Sequence, residues 1–284
     1  MDTDNQQDIS ACKINLDDCF TTAIDIAKEH AGPIIRRALT GEKTFTTKES
    51  IADVVTETDG EVEHIILTKL KTKYPSHHFI AEESVESKGC ELTNNPTWVI
   101  DPIDGTANFV HGFPNVAVCI ALMVNKRTEI GIVYDVLHDK LFTAQPGRGA
   151  FCNGKRLKVS GHTDLNKSLV FAEIPRDCSP ETVQRTLKNF ESLMLAPVQG
   201  FRALGSAALD MCAVAEGSMD AYFDYGPHIW DFAGAELIRE AGGVTMDTEG
   251  GPVDLMSRRI LVASSHALAK AISCKLIHTV LPRD

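Results

Sequence analysis

The sequence predicts a layered α/β protein. Apolar runs of strand length alternate with helix-period segments in both halves of the chain. Between them lies an all-β stretch, from Asn115 to about Val159, and a seam is expected near residues 155–195. The 284 residues are 43% apolar and 24% charged, ample material for one large or two closely joined units. No internal repeat or low-complexity segment breaks this order.

Taken in order, residues 16–39 place Leu16, Phe20, Ile24, Ala27, Ile34 and Ile35 in rough helical period, with Gly32-Pro33 expected to kink the helix. A polar hairpin or loop follows from Thr40 to Ser50. A second helix is read from Glu61 to Tyr74 and ends at Pro75. His78–Ala81 is a short strand, Ser87 to Asn95 a polar loop, and Trp98-Val99-Ile100 a buried strand. In the β-rich middle, Val116–Val124, Glu129–Tyr134 and Lys140–Ala144 are strands, with turns at Gly147-Arg148-Gly149 and Asn153-Gly154. Leu169–Ala172 is the next strand. A helix follows from Pro180 to about Met194, capped by Ser179. After a strand near Val198–Arg202, a small-residue helix opens at Gly205-Ser206-Ala207. Ala221–Phe223, Val244–Met246 and Ile260–Ala263 read as strands. Phe232–Ala241 and residues 266–279 read as helices.

A formal net charge of -11 makes polyanions poor partners, and no long basic run is present. The longest apolar run, Val116 to Val124, suits a buried strand and not a membrane span. Met1 to Asp8 is polar, resembles no signal sequence, and is expected to be disordered. The eight cysteines form no C-x-x-C pair, so free thiols in a reducing, cytoplasmic compartment are expected.

The chemistry centres on Asp101-Pro-Ile-Asp-Gly-Thr106. Two strand-end carboxylates suit a hard cation, and the Gly-Thr helix start offers backbone N–H groups to an anion. Asp59, Glu82 and Asp231 also follow apolar runs or sit at element ends. If the five acids converge, they could hold two or three Mg²⁺ ions and clamp a phosphate between them. Each also has an ordinary explanation. Asp101 and Asp104 suit turns, Asp59 and Asp231 suit helix caps, and Glu82 suits a solvated loop. His77, His78 and His228 have no metal-ligand spacing and read as structural or surface residues.

Asp101–Thr106 and Trp230-Asp-Phe-Ala-Gly-Ala235 resemble the two signature motifs of the inositol monophosphatase family. Ala81-Glu-Glu-Ser84 and Val55–Asp59 resemble two further segments of that family, and the likeness runs over nearly the whole chain. The resemblance implies an α-β-α-β-α sandwich of the inositol monophosphatase/fructose bisphosphatase type. It further implies a single domain over 1–284, with an α+β half at about 10–160 and an α/β half at 161–284. The implied activity is Mg²⁺-dependent hydrolysis of myo-inositol monophosphates by metal-activated water, serving inositol recycling. The implied assembly is a cytoplasmic, lithium-sensitive homodimer.

Residue by residue, the resemblance assigns metal binding to Glu82, Asp101, the Ile103 carbonyl, Asp104 and Asp231. It assigns catalytic roles to Thr106, Asp59, Glu82 and Asp101. Gly105 and Thr106 would cradle phosphate. Asp104, Gly205, Ser206, Ala207, Asp224 and Asp231 would complete substrate binding. Asp224 stands where the family pattern carries the longer Glu, which bears on selectivity; by itself it reads as an aspartate before a turn. Lys48 matches a family lysine in a loop near the metals. Arg176 and Arg202 have no assigned place. Two alternatives remain: a related phosphatase acting on another sugar phosphate or a 3′-phosphonucleotide, and a metal-binding interaction protein without catalysis.

Overall fold

The computed structural model describes residues 14–41, 45–47, 54–85 and 90–284. The expectations for the N-terminal segment and Lys48 lie outside these residues, as does part of the Ser87–Asn95 loop.

The first helical region is α1 (Leu16–Asp25), a π-helical segment (Ile26–Ala31) and α2 (Gly32–Leu39). Pro33 has no N–H and its ring crowds the carbonyl one turn back. The expected kink therefore takes the form of a widened turn just before it. β1 (Phe45–Thr47) pairs antiparallel with β2 (Val54–Thr56). α3 (Glu57–Lys73) starts earlier than the expected Glu61. The Thr56 side chain accepts from Thr58 N–H while Asp59 accepts from Thr56 N–H, a capping box that sets the start upstream.

The large sheet comprises β3 (His78–Ala81), β4 (Thr97–Asp104), β5 (Ala117–Val124), β6 (Arg127–Asp135), β7 (Lys140–Gln145), β8 (Gly149–Cys152) and β9 (Lys155–Arg156), in that spatial order. Only β3 and β4 run parallel. The short helix α4 (Thr106–His111) leaves the end of β4. β4 itself runs further than the Trp98–Ile100 run predicts. It continues to Asp104, and its register with β5 shifts between Asp101 and Asp104. The motif is therefore a bulged strand end rather than a simple turn.

The small sheet follows β10 (Leu169–Ala172), α5 (Pro180–Leu195), β11 (Gly200–Arg202), α6 (Ala207–Glu216), β12 (Ala221–Tyr225), α7 (Ala233–Glu240), β13 (Val244–Met246) and β14 (Arg259–Ala263). Its order is β11-β10-β12-β14-β13, and β10 runs parallel to both neighbours. Asp224 lies within β12, not before a turn. α8 (His266–Ser273) is shorter than the expected 266–279. Ile277 N–H goes to Asn189 Oδ1 of α5 instead of continuing the helix.

Side-chain alternation builds the layers. Trp98, Ile100, Ile120 and Ile132 face α1–α3. Val99, Cys119, Ala121 and Met123 face the opposite way, toward Met211 of α6 and Leu237 of α7. Tyr222, Ile260 and Val262 of the small sheet close that middle layer from its other side. Val170, Phe223 and Leu261 meet Leu193 of α5 and Leu268 of α8 on the far side. The result is the α-β-α-β-α sandwich that the resemblance implies. Among the described residues, no helix is long and apolar enough to cross a membrane, and the cysteines are free thiols.

α7 lies close over β6. A Cβ on Gly131 would stand 2.6 Å from the Ala233 carbonyl oxygen, which is backbone and cannot swing aside. Gly131→Ala is therefore expected to lower stability by ~1–3 kcal/mol in urea unfolding, as overpacking does. An unchanged midpoint would show that α7 can shift freely.

Candidate metal and phosphate site

β3 and β4 are parallel and pair Ala81 with Ile100, so Glu82 and Asp101 leave neighbouring strands at the same end. Glu82 opens a 3₁₀ turn, Glu82–Ser84. That turn is held by Glu63 of α3, whose carboxylate accepts from Glu83 N–H at 2.7 Å and from the Ser84 hydroxyl. Glu63 was not singled out in the sequence. The available signal was an acid on the buried face of α3, beside Val62 and Ile66.

Asp101, Asp104 and Asp231 form one cluster, with a carboxylate oxygen from each within 4.8 Å of the others. All three are buried. Asp101 Oδ1 accepts from Ile103 N–H at 3.0 Å, which folds the bulge back on itself. Asp104 Oδ2 accepts from the Ser206 hydroxyl and from Ala208 N–H at 3.0 Å, which ties β4 to the start of α6. Asp231 sits in a 3₁₀ turn, Ile229–Phe232, ahead of α7. Its Oδ2 accepts from His228 N–H at 2.7 Å, while Oδ1 is buried with no partner. The Asp284 carboxylate braces this turn by accepting from Ile229 N–H at 2.9 Å. Asp59 and Asp231 both do cap turns, as their ordinary reading holds, yet both also face the site.

Glu82 stands outside the 4.8 Å set, but its charge raises the proton affinity of Asp101, Asp59 and Asp231. Burial, then Glu82, Asp104 and Asp231, hold Asp101 well above the carboxylate range. Burial and then Asp231 push Asp104 up to about 7. Burial raises Asp231 as well, against the charge of Arg176. Arg176, exposed after β10, thus finds its place near the cluster, where its charge also favours ionised Asp101 and Asp104. Arg202 instead bonds the Phe201 carbonyl.

Thr106 Oγ1 lies 3.3 Å from Asp59 Oδ1 and 3.0 Å from the Ile103 carbonyl oxygen. Asp59 is pushed to about 6, first by burial, with Thr56 bonds opposing and Glu82 adding. Gly105 has φ 91° at the N-cap of α4, and no side chain caps that helix. A Cβ there would meet the Asn115 carbonyl oxygen at 2.7 Å, so only glycine fits.

At the other end, Asp224 accepts from Tyr222 hydroxyl at 3.0 Å and Tyr225 N–H at 2.7 Å. Burial, then Glu173, raise it to about 6. The Gly205 carbonyl lies 3.3 Å from Asn108 Nδ2, and Gly205 N–H donates to Glu173. Glu173 was not singled out in the sequence.

Fold and site together define a layered α/β protein with three clustered, buried carboxylates that could hold a metal ion, beside a helix start that no side chain caps. The chain belongs to the inositol monophosphatase family, whose model matches residues 15–280. It is 51% identical to inositol monophosphatase 1 of Bos taurus over 269 residues, covering 94% of this chain and 97% of that protein. It is 50% identical to inositol monophosphatase 2 of Homo sapiens over 259 residues, covering 90% of each. Among solved structures, extragenic suppressor protein suhB from Bartonella henselae superposes with TM-score 0.82 at 30% identity, covering 91% of this chain and 98% of that one. Inositol monophosphatase from Anabaena gives 0.77 at 31% identity, covering 92% and 96%.

Asp59 and Asp224, at about 6, and Asp104, at about 7, all stand above the ordinary 3.8. The folded protein keeps protons that the unfolded chain releases, so these acids favour folding least at high pH. Metal-stripped protein should lose thermal stability as pH rises from about 5 to about 7.5, and a divalent cation should restore it at the upper end. A melting temperature that stays flat over this range without metal would contradict the cluster's electrostatics.

Proposed function

We propose that this protein hydrolyses myo-inositol monophosphates to myo-inositol and phosphate, with Mg²⁺ as cofactor. The observation that carries the metal assignment is the buried Asp101–Asp104–Asp231 cluster. Its acids repel one another, and Asp231 Oδ1 is left without a partner. The donors are all oxygen, which suits a hard cation. The names of the relatives support the substrate. We further propose a cytoplasmic homodimer that lithium inhibits, as the resemblance of the motifs implies.

Asp101, Asp104, Asp231, Glu82 and the Ile103 carbonyl would hold two or three ions. When bound, these ions neutralise phosphate charge, activate water and stabilise the departing alkoxide. Gly105 and Thr106 N–H groups receive phosphate oxygens at the start of α4, where no side chain competes for them. The Thr106 hydroxyl donates to Asp59 or to the Ile103 carbonyl, and its lone pairs orient the attacking water. Asp59, bonded to the Thr106 hydroxyl, can take a proton from that water. Gly205, Ser206, Ala207 and Asp224 would meet the ring hydroxyls of the substrate, with Asp104 and Asp231 completing the substrate site.

Phosphate release should be fastest with inositol 1-phosphate and require Mg²⁺, when compared with fructose 1,6-bisphosphate and 3′-phosphoadenosine 5′-phosphate. A preference for either of the latter would move the assignment to a related phosphatase, and no release at all would favour a non-catalytic metal-binding protein. Asp101→Asn should cut release by more than about 100-fold, beyond the cost of losing an orienting partner. Activity near that of the parent would remove the shared-ligand role. Thr106→Ala should lower kcat ~100-fold with KM little changed. A change in KM alone would show that Thr106 binds and does not orient water. Lithium chloride should slow turnover at saturating Mg²⁺, and insensitivity at every Mg²⁺ level would count against the lithium assignment.

A further inference from the structure

The catalytic scheme uses neither Glu173 nor Asp210, yet both are carboxyls beside the substrate end. Glu173 follows β10 directly, and β10 pairs Ala172 with Phe223 of β12, so Glu173 and Asp224 leave adjacent parallel strands. Both Glu173 oxygens are engaged. Oε1 accepts from Leu204 N–H at 2.9 Å and Oε2 from Gly205 N–H at 3.1 Å. The same loop is held from above by the motif helix. Asn108 Nδ2 donates to the Leu204 carbonyl at 2.6 Å, and Asn115 Nδ2 donates to it at 3.1 Å. Residues 204–206 are thus clamped between Glu173 and α4.

Asp210, in the first turn of α6, is 1% exposed. Neither of its carboxyl oxygens receives a hydrogen bond from any donor, and the Glu173 carboxyl stands beside it. Two carboxylates without a donor between them cannot share a buried hydrogen bond; one must carry a proton. Both Glu173 oxygens already accept N–H bonds while those of Asp210 receive none, so the proton belongs on Asp210. Burial, then Glu173, then the charges of Asp104 and Asp224, push the Asp210 carboxyl up to about 11.

We propose that Asp210 is a neutral acid that donates its proton to Glu173, and that the pair positions the Leu204–Ser206 loop against the substrate's ring. Asp210 and Glu173 are positioning residues; neither touches the reacting atoms. The ring part of this assignment rests on the inositol monophosphate reading, whereas the shared proton does not.

Two measurements test it. The first compares urea unfolding of the parent and Asp210→Asn at one Mg²⁺ concentration, from about pH 6 to about pH 8. The amide donates without titrating, whereas the parent must hold a proton that its unfolded chain releases. The stability advantage of the Asn variant should therefore grow with pH, approaching tenfold per pH unit in the unfolding constant. A pH-independent difference would mean that Asp210 is ionised, and would overturn the proposal. The second is kinetic. Asp210→Leu, which cannot donate, should raise KM for inositol 1-phosphate about tenfold. Asp210→Asn should keep KM within about twofold of the parent. An Asn variant as impaired as the Leu variant would overturn the donor role. If the Leu variant does not fold, the pH dependence of the Asn variant still decides. A parent inactive on inositol 1-phosphate would sink the functional reading alone, because the unfolding comparison reads the proton and not the reaction.

Discussion

Three carboxylates held together out of water are the constraint that the rest of this structure serves. Asp101, Asp104 and Asp231 lie within 4.8 Å of one another and are buried. Their mutual repulsion costs folding free energy that a hydrophobic cluster of the same size would not. Their immediate surroundings supply hydrogen bonds, which orient oxygens but do not neutralise charge. Ile103 N–H holds Asp101, Ser206 and Ala208 hold Asp104, and His228 N–H holds Asp231. Three acids so arranged could hold a metal ion, at the expense of stability without one.

The layered fold explains how acids so distant in sequence meet. Asp101 and Asp104 come from the bulged end of β4 in the large sheet. Asp231 comes from the turn that feeds α7, and the partners of Asp104 come from the start of α6. α6 and α7 fill the layer between the two sheets, with Met211 and Leu237 packed against both. Glu173 and Asp224 lie where β10 and β12 of the small sheet finish. Open sheets tend to place ligands at the carboxyl ends of parallel strands, and both parallel pairs, β3–β4 and β10–β12, end in acidic residues here.

A second set of carboxyls works one step back from the cluster. Glu63 braces the turn that carries Glu82, and Asp284 braces the turn that carries Asp231. Glu173, with Asp210 behind it, braces the loop before α6. In each case a carboxyl oxygen satisfies backbone N–H groups of a turn that has too few internal partners. The site is therefore acidic beyond its own ligands, in line with a chain of net charge -11.

Local patterns determined much of this on their own. Period-2 and period-3.6 runs located most strands and helices, and Ser179 marked a helix start that its side chain indeed caps, accepting from Thr182 N–H. The spacing of Asp101, Asp104, Gly105 and Thr106 placed two carboxylates and a helix start within one turn, a pattern that suits cations and anions. Other features were decided by distant partners. The early start of α3 depends on how Asp59 closes back on Thr56, and the early end of α8 on Asn189 drawing Ile277 away. Glu63, Asn108, Glu173 and Asp210 look like ordinary polar residues in sequence, since their roles lie in bonds to segments tens of residues away. Sequence carries the identity and order of these groups. Only the tertiary structure sets their separation and burial, and those two quantities decide whether a carboxyl is a surface charge, a metal ligand or a buried acid holding its proton.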